Sequence, residues 1–347
     1  MSNIDIPPNL YEKLLQQGLN ITDVVLYLGS KCNLRCSHCY IGNDLLSRAS
    51  SYSYNSIIQF LSNIEELERI TILGGEPLLY PEFNQLVSFL SAFKSAEKRI
   101  TTNATIINNV NWRNIKEAGI RVCVSLDGHT ADLHDSIRGR KTFKKAITTI
   151  KMLVSNGHDV ELTHTVNSNN VDYIDDFINL CKKLGVKRIN LHRATPRGNA
   201  VSNSYLVVGA TRWRALVQHL REMRNDEHFS TSIRYELAFA TEQEYQDLVE
   251  KGLYATHSSG SFYSKVGGNR VVIYPDGKLY ISSEAFGTES FIGTIHDNDL
   301  RLNDDKNNEL YLENNDSEYI TRMNRNMVGD ENYPVVLCVS YRESRII

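Results

Sequence analysis

The chain has 347 residues, of which 41% are hydrophobic, so it is long enough for one large domain with a buried core and a smaller second domain. Its formal net charge is −3 and its sequence pI is near 6.4, whereas a nucleic-acid-binding domain normally carries a basic patch or stripe. No apolar run reaches the length needed to span a bilayer. We therefore expect neither a nucleic acid nor a membrane as a partner.

Apolar segments of β type alternate with amphipathic helical segments between residues 23 and 192. The predicted strands are 23–28, 69–73, 98–102, 121–126, 160–166 and 187–192, and the predicted helices lie near 55–66, 82–94, 108–118, 142–155 and 171–184. Such alternation predicts parallel pairing through right-handed crossovers. A closed barrel needs eight units, and the sequence after His192 does not clearly supply two more. We therefore expect an α/β fold built on an open, partial (β/α)6 barrel.

A run of three cysteines follows the first predicted strand directly. Cys32, Cys36 and Cys39 lie in the segment Lys-Cys-Asn-Leu-Arg-Cys-Ser-His-Cys-Tyr at residues 31–40, which we call the cysteine loop. Iron–sulfur cubanes ordinarily take four cysteine ligands, so a set of three predicts one iron that is free to bind a small molecule. The loop therefore predicts a cluster with an open coordination position.

These cysteines have two other readings. They can hold zinc if His38 or a distant cysteine supplies a fourth ligand, but structural zinc sites usually come as two separated ligand pairs and no second pair is present. A disulfide is disfavoured because the N-terminus shows no secretion signal. The remaining cysteines, Cys123, Cys181 and Cys338, lie far apart in the sequence. An isolated cysteine is usually a small buried hydrophobic residue, so we expect these three to be structural.

Polar or glycine-rich turns follow the next three predicted strands. Strand two runs into Gly-Gly-Glu-Pro at residues 74–77, strand three ends in Thr-Thr-Asn at 101–103, and strand four ends in Ser-Leu-Asp-Gly at 125–128. Adjacent glycines let a backbone approach a ligand closely, and a glutamate accepts hydrogen bonds from an ammonium group. Because the carboxyl ends of parallel strands share one edge, these turns predict a ligand-binding mouth.

With these motifs in this order, the chain resembles the radical S-adenosylmethionine (radical SAM) superfamily. Residues 134–139, His-Asp-Ser-Ile-Arg-Gly, and residues 193–198, Arg-Ala-Thr-Pro-Arg-Gly, resemble the SPASM/twitch branch, which contains sulfatase maturases and peptide-modifying enzymes. The resemblance covers roughly residues 22–200. It implies an enzyme that cleaves SAM to a 5′-deoxyadenosyl radical, which abstracts hydrogen from a substrate.

The resemblance also implies roles for single residues. Cys32, Cys36 and Cys39 would ligate one [4Fe-4S] cluster whose unique iron chelates SAM. The other implied SAM contacts are Gly74, Gly75 and Glu76 for the methionyl ammonium, Ser125 for the ribose, Arg138 for the methionyl carboxylate, Asn103 as a support of the same pocket, and the backbone around His38 and Leu191 beside the adenine.

One further candidate comes from strand parity. Cys123 and Ser125 lie on the same face of strand four, so both point into the barrel if Ser125 does. A thiol there could donate a hydrogen atom to a substrate radical, as an epimerisation requires. The alternative is interior packing, because Cys123 should lie one layer below the mouth.

The C-terminal part departs from the family pattern. Residues 269–281 read as a hairpin around Pro-Asp-Gly at 275–277. In the resembling branch, cysteines that bind an auxiliary cluster frame this hairpin, and here the equivalent positions are Ser264 and Ser282. We expect a smaller α+β, SPASM-like hairpin extension without an auxiliary cluster. The expected organisation is an N-terminal segment at 1–21, the partial barrel at 22–205 and the extension at 206–347.

The substrate class stays open. The motifs at 134–139 and 193–198 favour a peptide, with epimerisation or radical coupling as possible outcomes. The missing auxiliary cysteines, and only some thirty residues before Cys32, favour a small molecule such as an amino acid, a sugar or a nucleoside. A non-catalytic SAM-binding or zinc-binding scaffold is the reading from a different class. Oxygen sensitivity implies a cytoplasmic location and a flavodoxin-type or ferredoxin-type electron donor.

Overall fold

A computed structural model describes residues 3–48, 50–108, 110–224, 231–251, 254–256, 262–264, 269–280, 292–302, 335–336 and 342–344. The helices in these ranges are α1 (Leu10–Gln16), α2 (Gly42–Ser47), α3 (Tyr54–Ser62), α4 (Phe83–Leu90), α5 (Trp112–Glu117), α6 (Ala131–Arg138), α7 (Thr142–Ser155), α8 (Ile174–Lys183), α9 (Asn199–Ser202), α10 (Ala210–Arg224) and α11 (Glu242–Glu250). Short 3-10 helices cover Pro77–Leu79, Val171–Tyr173 and Ser204–Leu206. None of the described helices is long and apolar enough to cross a bilayer.

The strands in the same ranges are β1 (Asn3–Ile4), β2 (Asp23–Tyr27), β3 (Ser51–Tyr52), β4 (Arg69–Leu73), β5 (Glu97–Thr102), β6 (Ile120–Ser125), β7 (Val160–Val166), β8 (Arg188–Arg193), β9 (Ser232–Glu236), β10 (Phe239–Ala240), β11 (Tyr254–Thr256), β12 (Phe262–Ser264), β13 (Arg270–Ile273), β14 (Lys278–Tyr280), β15 (Gly293–His296), β16 (Asp299–Leu302), β17 (Val335–Val336) and β18 (Arg342–Ser344).

One large sheet organises the molecule. Across the described residues its strand order is β16-β15-β14-β13-β2-β4-β5-β6-β7-β8-β9-β18. The run β2-β4-β5-β6-β7-β8 is parallel throughout, and each of its strands begins and ends within one residue of its predicted bounds. The expected α/β fold with an open barrel is therefore confirmed.

Two more parallel strands extend this run beyond the sequence prediction. β13 pairs in parallel with β2, and β9 pairs in parallel with β8. Both come from the part of the chain assigned to the extension; the helix α10 precedes β9, whereas β13 follows the short strand β12. In the described residues the two edge strands of the sheet, β16 and β18, do not pair with each other, so the sheet stays open. The boundary at residue 205 stays a prediction, although the sheet continues across it.

The face of the sheet that packs against the helices is apolar. Its buried residues include Val24, Leu26, Ile70, Ile72, Ile100, Val122, Val124, Leu162 and Ile189. In α8 the residues Ile174, Phe177, Ile178 and Cys181 recur at helical spacing and are all buried. Gly185, with φ of +75°, follows this helix and suits its termination. Cys181 is thus part of the core, and Cys338 lies outside the described residues.

Helix α6 was not predicted. Thr130 caps its start by accepting a hydrogen bond from the Leu133 amide, and Gly139 ends it with φ of +110°. Only Leu133 and Ile137 are strongly apolar among its eight residues, so the helical period is weak. The motif at 134–139 therefore lies on a helix that ends beside the cysteine loop.

The opposite face of the sheet carries a layer of ion pairs near the amino ends of the strands. We call this layer the charged belt, and it comprises Asp23, Arg69, Glu97, Arg99, Arg121, Asp159, Glu161, Arg188, Arg234 and Arg270. Within it, Arg69 Nε lies 2.9 Å from Glu97 Oε2, and Arg121 Nε lies 2.9 Å from Asp159 Oδ2. Arg270 Nη2 lies 2.7 Å from Asp23 Oδ2. Salt bridges therefore link neighbouring strands across the amino ends of the sheet.

The predicted C-terminal hairpin is confirmed. β13 and β14 pair antiparallel, with Ile273 opposite Leu279. Gly277 in their turn has φ of +83°, and a Cβ there would lie 2.8 Å from the Ile295 carbonyl oxygen, so the turn favours glycine. Ser264 ends β12, and Ser282 lies outside the described residues. The expected absence of an auxiliary cluster stays a prediction.

Candidate active site

The carboxyl ends of β2, β4, β5 and β6 meet at the cysteine loop. Cys32, Cys36 and Cys39 are half-buried. The pKa of the Cys36 thiol is raised to about 12, chiefly by burial; Arg138 opposes this rise, and Cys39 and Cys32 contribute to it. Burial also raises the pKa of Cys32. The structure thus brings the three predicted thiols together in a setting where thiolates need a positive charge, such as bound iron supplies.

Three cysteine thiols are the donor set of an iron–sulfur cluster with one open iron. His38, one of the two candidates for a fourth zinc ligand, has its Nε2 2.6 Å from Asp127 Oδ2. The residues present therefore fit a [4Fe-4S] cluster.

Gly75 lets the turn after β4 pack against the start of the cysteine loop. A Cβ at Gly75 would lie 2.4 Å from the Lys31 carbonyl oxygen and 2.5 Å from that of Ser30. The Gly75 amide donates to the Gly29 carbonyl, and the Glu76 amide donates to that of Lys31, both at 2.9 Å. The predicted reason for these glycines is the approach of a ligand, and the structure adds a close approach of neighbouring backbone. Contacts of Gly74 and Gly75 with SAM stay predictions.

The buried carboxylate of Glu76 joins the ends of β4 and β5. It accepts hydrogen bonds from Thr102 Oγ1 at 2.6 Å, from the Asn103 amide at 2.8 Å and from the Leu78 amide at 3.2 Å. Burial raises the pKa of Glu76, and these donors oppose that rise. Both carboxylate oxygens are therefore engaged by the protein, and a role in binding the methionyl ammonium stays a prediction.

Asn103 connects the end of β5 to the cysteine loop. Its Nδ2 donates to Asn33 Oδ1 at 2.9 Å, and Asn33 Nδ2 donates to Thr105 Oγ1 at 2.8 Å. The Asn103 side chain also accepts from the Thr105 amide at 3.0 Å. Asn103 thus supports the predicted pocket by holding the loop, in addition to whatever contact it makes with a ligand.

Asp127, at the end of β6, is the centre of the site and was missed as a site residue. Its Oδ2 lies 2.6 Å from His38 Nε2 and 2.5 Å from Arg138 Nε, and its Oδ1 accepts from the Thr165 amide at 2.8 Å. Although burial opposes ionisation, Arg138 and His38 hold the pKa of Asp127 well below its usual range. Its place in the Ser-Leu-Asp-Gly turn was the available signal.

Arg138 and His38 therefore serve first as partners of Asp127. Arg138 is the last residue of α6 and is buried. Within the described part of the chain, the only hydrogen bond of its side chain is the one from Nε to Asp127. The guanidinium lies near Cys36 and Cys39. A contact between Arg138 and the methionyl carboxylate stays a prediction. The two terminal nitrogens of Arg138 make no hydrogen bond to the described residues and are available for that contact.

The two remaining SAM candidates lie on opposite faces of the sheet. Ser125 is buried, stands opposite Thr163 in the register, and makes no side-chain hydrogen bond with the described residues. Leu191 is fully buried in the apolar core, so only its backbone is available to a ligand at the mouth. The predicted ribose and adenine contacts stay untested.

Cys123 lies one row below Ser125, against the charged belt. Its Sγ is 3.7 Å from Glu161 Oε1, and burial raises the pKa of its thiol. Glu161 in turn lies 3.8 Å from Arg99 and 3.8 Å from Arg234. This position favours interior packing, and the role of hydrogen donor stays a prediction.

A second group that the sequence analysis missed lies beyond β8. His192 Nδ1 lies 3.0 Å from Glu236 Oε1, and its Nε2 lies 2.7 Å from Asn190 Nδ2. The pair joins β8 to β9, and no motif in the sequence distinguishes Glu236. It places titratable groups on the face of the sheet that carries Ser125 and Cys123.

Sequence comparison supports the reading of the motifs. A profile of the Radical SAM superfamily matches residues 26–181. The AdoMet-dependent heme synthase of Oleidesulfovibrio alaskensis is 25% identical over 197 residues, which are 56% of this chain and 50% of the synthase. Mycofactocin maturase MftC of Mycobacterium ulcerans is 32% identical over 199 residues, which are 55% of this chain and 53% of the maturase. The chain spans about half the length of these curated relatives.

Structural comparison extends the likeness in fold beyond this region. Streptococcus suis SuiB, in a crystal structure with the precursor peptide SuiA, aligns with a TM-score of 0.63 and 15% identity over 87% of this chain and 67% of SuiB. A crystal structure of SuiB bound to S-adenosylmethionine aligns with a TM-score of 0.62 and 15% identity over 87% of this chain and 68% of SuiB. Residues 26–181, which hold the cysteine loop and the strand ends around it, are therefore similar to the radical SAM superfamily.

Proposed function

We propose that the protein is a radical SAM enzyme that holds one [4Fe-4S] cluster through Cys32, Cys36 and Cys39 and binds SAM beside it. The observation that carries the proposal is the attachment of successive strand ends to one cysteine loop. Glu76 reaches the loop through the Lys31 carbonyl, Asn103 through Asn33, and Asp127 through His38. Such support of metal ligands by hydrogen-bonded neighbours is what a functional metal site requires.

The chain's own residues position and enclose the reactants. When bound, the cluster supplies the electron that cleaves SAM to methionine and a 5′-deoxyadenosyl radical. Arg138 places a buried positive charge beside Cys36 and favours its thiolate form. Ser125 offers a hydroxyl without a described protein partner to the ribose. The charged belt occupies the amino ends of the strands, so we expect the substrate to approach from the mouth at their carboxyl ends.

A peptide is the substrate class that we propose. MftC is named as a maturase, and SuiB was crystallised with a precursor peptide. Hydrogen abstraction from such a peptide would then lead to epimerisation or radical coupling. The competing proposal is a small molecule, and the relative that is named a heme synthase supports it.

The proposed electron donor is a flavodoxin or a ferredoxin. Lys31 and Arg35 are exposed on the cysteine loop, and Arg35 Nη1 donates to the Cys32 carbonyl at 2.8 Å. Two positive charges beside the metal ligands complement an acidic electron carrier and would steer its approach.

The test is anaerobic reconstitution with iron and sulfide, followed by reduction with dithionite in the presence of SAM. The wild-type protein should turn brown and release 5′-deoxyadenosine, and C32A, C36A and C39A should each lose both properties. C181A is the matched control, because Cys181 is buried on the helix-packed side of the sheet. Zinc in place of iron and sulfide, or full activity in the three variants, would contradict the proposal.

The substrate class needs its own experiment. The chain would be co-expressed with a short precursor peptide encoded beside it, and the peptide would be examined by mass spectrometry after reaction in deuterated water. Modification of the peptide supports the peptide proposal. An unmodified peptide, together with an active SAM-cleaving enzyme, would leave the small-molecule proposal in its place.

A further inference from the structure

The cysteine loop has no helix or strand of its own between Cys36 and Cys39, so neighbouring elements must fix its backbone. From the side of α6, the Ile137 carbonyl accepts a hydrogen bond from the Ser37 amide at 2.9 Å. Within the loop, the Cys39 amide donates to the Cys36 carbonyl at a longer 3.2 Å. These two bonds leave the carbonyls of Ser37 and Cys39 to other partners.

Asn199, the first residue of α9, binds the loop from the other side. Its backbone amide donates to the Cys39 carbonyl at 2.9 Å, and its side-chain Nδ2 donates to the Cys36 carbonyl at 2.9 Å. Its Oδ1 accepts from the Asn43 amide at 2.9 Å. Because a backbone amide can only donate, this last bond orients the side-chain amide with Nδ2 toward Cys36.

Two neighbours of Asn199 complete the contact. Asn203 Nδ2 donates to the Ser37 carbonyl at 3.1 Å. Gly198 has φ of +51°, and a Cβ there would lie 2.4 Å from the Cys39 carbonyl oxygen and 2.5 Å from that of Tyr40. The segment that follows the Arg-Ala-Thr-Pro-Arg-Gly motif thus presses against the backbone that carries two of the three thiols.

We infer that Asn199, assisted by Asn203, is a positioning residue for the iron–sulfur cluster. The inference rests on the proposed function. The peptide plane between Cys36 and Ser37 is bound at both ends, at its carbonyl by Asn199 and at its amide by Ile137. Two hydrogen bonds at opposite ends of a planar peptide restrain its rotation, so they hold the backbone between the Cys36 and Cys39 thiols in place.

The inference is tested by variants of the reconstituted full chain. N199D keeps the acceptor for the Asn43 amide but replaces the donor to Cys36 with a carboxylate near the thiolates, and N199A removes both. N203A removes the bond to the Ser37 carbonyl and the bond from Asn203 Nδ2 to the Asn199 carbonyl at 2.9 Å. The matched control is N156A, because Asn156 Nδ2 also donates to a carbonyl, that of Met152 at 2.7 Å, at the end of α7 away from the loop.

The measurements are iron released to a chelator over time, the midpoint potential of the cluster, and the electron paramagnetic resonance spectrum of the reduced cluster with and without SAM. We expect N199D to lose iron about tenfold faster than the wild type, as outer-shell changes at metal sites do. N199A and N203A should follow in that order. N199D should also lower the midpoint potential, because an added negative charge disfavours reduction.

Each outcome is decisive. If N199A and N199D match N156A in iron release and potential, the inference is wrong. If both release iron faster while the potential and the spectrum match the wild type, Asn199 is merely structural and the inference is again wrong. Melting of the apo variants separates misfolding from cluster loss, and N203A keeps the test open if N199D does not fold. A wild-type protein without a cluster overturns the proposed function itself.

Discussion

The mouth and the charged belt lie on the same face of one sheet, yet they use polar side chains differently. In the belt, charges pair with one another across neighbouring strands, as Arg69 does with Asp23 and Glu97. At the mouth, Asp127 and Asn103 bind a loop, reaching His38 and Asn33. The belt therefore stabilises the sheet, and the mouth holds a set of thiols in place. The predictions below test this division, beginning with the largest expected effect.

Substitution of Asp127 should be the most damaging change. D127N leaves the buried Arg138 without its counter-charge, and breaking a buried ion pair on one side costs about 3 to 5 kcal/mol in the free energy of unfolding. Loss of support for the cysteine loop should also lower 5′-deoxyadenosine formation by about a hundredfold. Urea unfolding of the apo protein and the SAM cleavage assay measure the two effects.

The control for D127N is D159N in the charged belt. Asp159 is 42% exposed in its side chain, so its pairs with Arg121 and Arg188 are worth about 1 kcal/mol or less. SAM cleavage should be unchanged. Equal losses of stability and of SAM cleavage in D127N and D159N would contradict the proposed difference between the mouth and the charged belt.

G75A should damage the mouth through shape alone. The added Cβ would lie 2.4 Å from the Lys31 carbonyl oxygen. Such overpacking lowers the free energy of unfolding by about 1 to 3 kcal/mol. Because the start of the cysteine loop must move, iron content after reconstitution should fall as well. G209A, whose Cβ would meet nothing within 4 Å, should change stability by less than about 1 kcal/mol. Normal iron content in G75A would show that this packing does not position the loop.

E161Q should weaken stability and leave the chemistry intact. Glu161 is buried, and Arg99 and Arg234 each approach it within 3.8 Å. Loss of its charge should cost about 1 to 3 kcal/mol, measured by urea unfolding, while the folded fraction cleaves SAM at the wild-type rate. A loss of cleavage without a loss of stability would place the belt in the reaction.

The stability of the apo protein should fall as the pH falls from about 6.5 to 4. Burial lowers the pKa of His134 and of His164 to about 4, so both take up a proton in the unfolded chain before they do in the folded one. Their contribution to the free energy of unfolding is complete when the pH is above the histidine pKa of the unfolded chain. It is lost as the pH falls to the histidine pKa of the folded chain. Each histidine should add a slope of up to about 1.4 kcal/mol per pH unit.

H164F isolates one of these two contributions. Urea unfolding at pH 7, 6 and 5 should show a smaller decline in H164F than in the wild type, because one of the two buried imidazoles is gone. An unchanged pH dependence would mean that other groups are responsible for the acid sensitivity.

C123A should likewise leave SAM cleavage unchanged, because Cys123 lies below the mouth against Glu161. Deuterium uptake into the product distinguishes its two readings. If Cys123 donates hydrogen, C123A abolishes the uptake from deuterated water, whereas a packing residue leaves the uptake unchanged.

The regular parts of the fold were predictable because their signal is local. The six central strands alternate with helices, and burial of one face suffices to define most of them. β9 follows the amphipathic helix α10 and was missed, whereas β13 follows β12 and becomes part of the sheet through its pairing with β2. α6 was missed because two apolar residues do not mark a helical period.

The sequence by itself identified the three thiols that we propose as metal ligands and the edge of the sheet at which they lie, because three cysteines at fixed spacing and glycine-rich turns after successive strands are local features. Only the tertiary structure decided which residues hold those ligands. Asp127, Arg138 and Asn199 are separated from the cysteine loop by about a hundred residues or more in the chain, and hydrogen bonds between such distant segments exist only once the parallel strands have aligned their carboxyl ends.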